Sequence, residues 1–265
     1  MSTGPSDPRT DKPAAGKPLV LIPVTAGDVA RQKRRKVMIW ALAGLIVLLA
    51  AFLGYRRISI PREARQAYDS GVRLFSATRY EQAALNFSRA IDLMPDFADA
   101  YRMRARVYVA QSTPDFAARD FTKVLALTPN NAGVLVERGS AYLDLKDYPK
   151  AIADAGLAIS LDPKLGRAYT LRATARRATG DAAGAIQDFT AALGINPNLE
   201  NYFQRAATYH RMGKYDLAVA DFTSAISFDS TQPHIFFARA QSKAAGGDAK
   251  GAKEDIVVGR KLDGE

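Results

Sequence analysis

Residues 132–165 read AGVLVERGSAYLDLKDYPKAIADAGLAISLDPKL, and this stretch decides the fold. Two runs of helical length flank the turn signal Lys146-Asp147-Tyr148, and the second run ends at Leu161-Asp162-Pro163. Gly139 in the first run and Ala151 at the start of the second are small, which lets two helices approach closely. The plan recurs in both directions. Pro95, Pro129, Pro163 and Pro197 stand 34 residues apart and close AIDLMP, VLALTP, AISLDP and ALGINP. Each proline stops the second helix of its unit. Ala83, Ala117, Ala151 and Ala185 keep the same interval, and Ala218 and Ala252 continue it after the loss of one residue. Gly71, Ala105, Gly139, Ala173, Ala206 and Ala240 are their small counterparts in the first runs. Phe87, Phe121, Phe189 and Phe222 follow their alanines by four residues, one helical turn; Ala155 and Ile256 take that place in the other two units.

A helix–turn–helix period of 34 residues with small side chains at fixed places resembles the tetratricopeptide repeat (TPR) family. The resemblance covers residues 64–265 as six units, at about 64–97, 98–131, 132–165, 166–198, 199–232 and 233–265. One such hairpin cannot bury both its faces alone, so the units are expected to stack into an all-α solenoid. The resemblance implies a right-handed superhelix whose first helices line a concave groove, where a partner peptide or helix lies. Carried onto this chain, the groove would include Arg65, Tyr68, Phe75, Arg102, Arg106, Val136, Arg167, Arg177, Phe203, His210, Arg211 and Phe237. Arginines among aromatics suit an acidic segment with apolar anchors. TPR proteins that clamp the terminal carboxylate of heat-shock chaperones use Lys and Asn at places that here hold Tyr68, Val72, Met103, Gly133 and Glu137, so that role is disfavoured.

Arg104, Arg138, Arg172, Arg205 and Arg239 form a second periodic set. Each precedes by sixteen residues an aspartate: Asp120, Asp154, Asp188, Asp221 and Asp255. In an antiparallel hairpin, residues equidistant from the turn lie level, so each arginine is expected to pair with its own aspartate. The first unit has Ser70 and Asn86 instead; both charges are lost together. The second helices of five units carry apolar residues seven apart, such as Ile152 and Ile159, where the sixth carries Lys253 and Arg260. That last face is expected to meet water and cap the stack.

Ahead of the repeats, residues 37–55 (VMIWALAGLIVLLAAFLGY) carry no charge and as a helix would span roughly 28 Å, close to a bilayer's hydrocarbon core. Arg31, Lys33, Arg34, Arg35 and Lys36 precede the run; Arg56 and Arg57 follow it. The long N-terminal region and the lack of a small-x-small site before Arg56 favour an uncleaved single-pass anchor over a cleaved leader. The denser basic cluster places the N-terminus in the cytoplasm and the repeats outside it, in the periplasm of an inner-membrane protein. Residues 1–36 are expected to be a disordered basic tail containing the short apolar piece Leu19–Val24, and residues 56–63, with Pro61, a linker.

Composition excludes other classes. There is no Cys, which rules out disulfides, thiolate metal sites and thiol nucleophiles. His210 and His234 are the sole histidines, and the chain has no Gly-rich phosphate loop, HExxH or nucleophile elbow. No enzyme, cofactor, metal or small-molecule substrate is expected. The net charge of +10 sits largely in residues 1–63, which hold 11 basic and 4 acidic residues, so the repeats lack the basic patch of a nucleic-acid binder. The reading is a membrane-tethered adaptor for protein partners in the bacterial envelope. A receptor or holdase for exported or imported polypeptides, or an accessory subunit of a larger membrane complex, stays open, as does self-association.

Overall fold

The structure, a computed structural model, describes residues 26–264. They form twelve helices: α1 (Ala26–Ser76), α2 (Tyr80–Leu93), α3 (Ala98–Ala110), α4 (Pro114–Leu127), α5 (Ala132–Asp144), α6 (Tyr148–Leu161), α7 (Gly166–Ala178), α8 (Ala182–Ile195), α9 (Leu199–Arg211), α10 (Tyr215–Phe228), α11 (Pro233–Ala245) and α12 (Ala249–Asp263). The chain divides into two units, Met1–Arg57 and Ile58–Glu265.

In the first unit, every large apolar side chain from Val37 to Leu53 is at least 55% exposed. A helix apolar on all sides and unburied is suited to lipid rather than water. It is the one helix among the described residues long and apolar enough to cross a membrane. Two expected boundaries differ. Residues 26–36, expected as tail, are helical, because the straight-chain Lys and Arg that dominate them lose little freedom in a helix. The expected linker at 56–63 is helical too, with Pro61 inside α1. A proline there deletes one ladder hydrogen bond at a cost of about 3 kcal/mol, and the good helix formers Arg62, Glu63 and Ala64 follow it. Leu19–Val24 lies outside the described residues.

The second unit is a run of helix hairpins, the end of α1 with α2, then α3 with α4 and so on to α11 with α12, each packed on the next. Every first helix ends in the same way. Thr78, Ser112, Lys146, Gly180, Gly213 and Gly247 have φ between 56° and 96°. The N–H of each donates to the carbonyl three residues back, and the next N–H reaches back five, as in Lys146 to Leu143 and Asp147 to Tyr142. This satisfies carbonyls that the helix end would leave orphaned. Side chains of Asp147, Asp181 and Asp248 then cap the following helices. At the far end, Met94, Thr128, Asp162 and Asn196 have extended ψ ahead of their prolines, which stops the second helices.

The core is built from the periodic small residues and the phenylalanines packed among them. Ala83, Ala117, Ala151, Ala185 and Ala218 are fully buried, and Phe87, Phe121, Phe189 and Phe222 are at most 2% exposed. Helix approach is close at Gly71, where a Cβ would stand 2.6 Å from the Phe87 ring, and at Gly139, where it would stand 2.6 Å from the Leu171 side chain.

The five Arg–Asp pairs join each hairpin. Arg104 donates from Nε and Nη2 to Asp120 at 2.7 and 2.9 Å, and Arg138 to Asp154 at 2.8 and 2.7 Å. Arg172–Asp188, Arg205–Asp221 and Arg239–Asp255 repeat the two-pronged geometry at 2.7–2.9 Å. The third prong, Nη1, reaches a hydroxyl of the preceding hairpin: Ser88 for Arg104, Thr122 for Arg138, Thr190 for Arg205 and Thr223 for Arg239. Arg172 has Gly156 there, and Asp188 instead takes a second cation, Arg176, at 2.9 Å. Hydrogen bonds donated to the aspartates hold Arg104, Arg138, Arg172 and Arg205 above the ordinary guanidinium pKa, against burial. In the first unit Ser70 and Asn86 bond locally, to Arg73 and Gln82. Lys253 and Arg260 of α12 are exposed, yet Ile256, Val257, Val258 and Leu262 are exposed beside them, so that helix presents a mixed rather than a polar face.

Candidate functional site

The stack sets consecutive first helices side by side, so α5 touches α7 and α9 touches α11. A cavity of about 560 Å³ opens on α3, α5, α7 and the start of α9. Its apolar wall comes from Val109, Val136, Leu143 and Leu171, with Phe121 of α4 behind. Polar groups of Ser140, Thr170, Thr174, Asn198 and Asn201 face it, and Arg106, Glu137, Arg167 and Glu200 supply charge. These positions recur along the first helices because residues three and four apart share a helix face.

Of the twelve expected groove residues, Arg106, Val136 and Arg167 meet in this cavity. The others divide. Arg102 and Arg106 both bind Glu137: Arg102 Nε lies 2.8 Å from Oε2 and Arg106 Nη2 2.5 Å from Oε1. One carboxylate thus occupies two arginines expected to receive an acidic partner. Arg65 rests 5.1 Å from the Tyr68 ring centre and 3.4 Å from Asp69. Tyr68 is wedged against Phe87 and Phe97, and burial, then Asp99, push its hydroxyl pKa up. Phe75 packs on Tyr80.

Phe203 meets Phe222 of its own hairpin and His234 of the next, both edge-on. Phe237 lies so close over Gly259 that a Cβ there would stand 2.6 Å from its ring. His210 Nδ1 is 2.9 Å from Ser242 Oγ, and Ser242 is fully buried and donates to the Ala238 carbonyl. Phe203, His210 and Phe237 are thus partly buried, and each packs on a neighbouring helix. Arg177 is half-buried and held below the ordinary guanidinium pKa by burial, then by Arg211, with Glu200 opposing. Arg167 and Arg211 are exposed and have no side-chain counter-ion among the described residues.

Glu137, Asn201 and the wall residues Leu143 and Leu171 were not expected. Glu137 is a single charge outside any period, and a lone Asn in a helix reads as surface. The wall positions do recur at the helical spacing of the groove: Leu171 lies one turn beyond Arg167 and Leu143 two turns beyond Val136. Among the described residues no cluster of His, Asp and Glu is placed to hold a metal ion.

Tetratricopeptide repeat models match residues 68–132, 102–165, 136–200 and 199–232. No curated protein matches the chain in sequence. Among solved structures, PilF of Pseudomonas aeruginosa is 19% identical with a TM-score of 0.65, over 78% of this chain and 95% of its own. MamA of Desulfovibrio magneticus RS-1 is 17% identical with a TM-score of 0.59, over 63% of this chain and 94% of its own. YrrB, a TPR protein with an unusual peptide-binding site, is 20% identical with a TM-score of 0.55, over 66% of this chain and 92% of its own. At such identities the likeness speaks to the fold alone. The repeat models extend over more than half of the chain, in register with its stacked hairpins, and the chain belongs to the tetratricopeptide repeat family.

Proposed function

We propose that this protein is a membrane-tethered adaptor that holds a segment of a partner protein along the first helices of its repeats. The observation that carries the reading is the open cavity on α3, α5 and α7, whose wall is apolar and whose rim holds the uncountered Arg167. A stack whose periodic charges are consumed internally, as the Arg–Asp pairs are, leaves such a surface to recognition. The peptide-binding site of YrrB, on a similar fold, supports the same use here. The partner segment is acidic with apolar anchors, and its acidic part is met first by Arg167, Arg177 and Arg211, because Arg102 and Arg106 share the carboxylate of Glu137.

The exposed apolar side chains of residues 37–53 support a spanning helix, and the basic cluster at 31–36 supports a cytoplasmic N-terminus with the repeats in the periplasm. Tethering raises the effective concentration of the repeats for partners in the same membrane, which favours assembly of envelope complexes. Affinity purification of the full chain in mild detergent, beside the charge-reversed pair Arg167→Glu and Arg177→Glu, tests the groove. Loss of co-purifying partners from the variant, with an unchanged melting curve, is expected; equal recovery overturns the reading. Retention in the pellet after carbonate extraction, and protection of the repeats from protease in intact cells but not in spheroplasts, are expected of the tether.

A further inference from the structure

We infer that the cavity between α5 and α7 is an anchor pocket for one aliphatic side chain of an extended partner segment, with Asn201 receiving a backbone carbonyl of that segment and Arg167 its neighbouring carboxylate. The inference rests on the groove reading above and assigns its centre. Three observations lead to it.

Asn201 is 4% exposed, and its Oδ1 accepts a hydrogen bond from Thr170 Oγ1 at 2.9 Å. Its Nδ2 has no acceptor among the described residues. No fully buried side-chain nitrogen among the described residues lacks a partner, so that amide opens onto the cavity it lines. A carboxamide donor this deeply set calls for an acceptor, and a peptide carbonyl supplies one.

The hydroxyls opposite are poised for the complementary group. Ser140 donates to the Val136 carbonyl and Thr174 to the Thr170 carbonyl, both at 2.9 Å. Each oxygen keeps a lone pair for a peptide N–H. Donor and acceptors on facing helices match the alternating groups of an extended backbone, which a lone lipid tail or a phosphate does not offer.

The wall and the charges complete the match. Val109 is 45% exposed despite its apolar side chain, and Leu143 and Leu171 stand on the same cavity, so an aliphatic group gains from filling it. Arg106 is paired with Glu137, which it shares with Arg102, and Glu200 favours the charge of Arg177. Arg167 is left as the uncountered cation of the lining, which selects a carboxylate beside the anchor.

The test selects peptides from a phage-displayed random library on the full chain in detergent, then synthesises the enriched sequence with a fluorescein label and measures its binding. Enriched sequences are expected to share one Leu, Ile, Val or Met with Asp or Glu nearby. Ser140→Trp, which fills the pocket from its exposed rim, should weaken the probe at least about tenfold, equivalent to ~1.4 kcal/mol. Alanine in place of the anchor should cost as much, with little further loss on the filled variant. Photo-leucine at the anchor position should crosslink to α5 or α7 of the unaltered protein, a readout independent of how Ser140→Trp folds. A probe that binds and crosslinks elsewhere on the first helices overturns the pocket and leaves the groove reading standing. Failure to enrich any peptide, or crosslinks on the second helices, overturns both.

Discussion

Arg138 reaches across a repeat boundary to Thr122: its Nη1 lies 3.2 Å from Thr122 Oγ1, while Nε and Nη2 hold Asp154 of its own hairpin. Thr122 Oγ1 in turn donates to the Ala118 carbonyl, so the hydroxyl has a lone pair free for the arginine. The pair that closes one hairpin is thereby also a joint to the one before. In a stack whose units touch only their neighbours, such joints help the hairpins unfold together rather than singly.

Replacing Arg138 by alanine leaves Asp154 buried without its partner and is expected to cost about 3 kcal/mol. Thr122→Ala should cost about 1 kcal/mol. If the joint is real, the double variant should lose less than the sum of the two, by roughly 0.5–1 kcal/mol. Denaturant unfolding of the full chain in detergent, followed by circular dichroism, measures all three. Strict additivity would reduce Arg138 to an intra-hairpin residue, and unchanged stability of Arg138→Ala would remove the pair from the account of the fold.

The turns make a separate prediction. Lys146 sits at φ 60° and Gly180, one unit on, at φ 91°. A side chain in the left-handed region costs roughly 1–2 kcal/mol, less what glycine loses in unfolded-state entropy. Lys146→Gly should therefore stabilise by about 0.5–1 kcal/mol, and Gly180→Ala should destabilise by about 1 kcal/mol, with space no issue because nothing lies within 4 Å of a Cβ there. Opposite signs in the same denaturation assay are the expected result; equal signs would mean the turn conformation does not control these positions.

Stability should also fall in acid through Asp255. Burial raises its pKa, but hydrogen bonds from Arg239 and Lys243 more than reverse this, so the folded value lies below the unfolded one near 3.9. A carboxyl depressed on folding stabilises fully above about pH 4, and that contribution is lost as pH falls through the folded pKa. Asp255→Asn should lower stability at pH 7 and flatten the decline below about pH 4. Unfolding curves at a series of pH values that stay parallel for the two proteins would contradict it.

The 34-residue period, the small residues and the Arg–Asp separation of sixteen were all legible because each repeats several times. The hydroxyl partners repeat as well, sixteen residues before Arg104, Arg138 and Arg239 and fifteen before Arg205, but the series is broken at Gly156 and has no charge to draw notice. Three of the six turns hide their left-handed residue behind Thr78, Ser112 and Lys146, where glycine would have announced it. The groove was legible only as a face. How far a side chain on that face is covered depends on the tilt of the neighbouring helix, as at Phe203, His210 and Phe237, which each pack on one. Glu137 shows the other limit: a contact between residues 31 and 35 apart in different hairpins leaves no trace in a single unit.

Glu137 also sets the charge that a partner meets. Its carboxylate accepts from Arg102 and Arg106, whose side chains are 31% and 43% exposed, so the cluster sits where solvent already screens it. Removing the carboxylate should then cost little stability, about 1 kcal/mol or less. It should release two guanidinium groups into the groove beside Arg167. Glu137→Gln is expected to bind a fluorescein-labelled peptide of alternating Asp and Leu at least about threefold more tightly than the parent, ~0.6 kcal/mol. The gain should shrink at high salt, because the freed charges are exposed and screened over a few ångströms. Equal affinity at low salt would mean that acidic segments do not travel this part of the groove, and would shift recognition toward Arg177 and Arg211 on the later repeats.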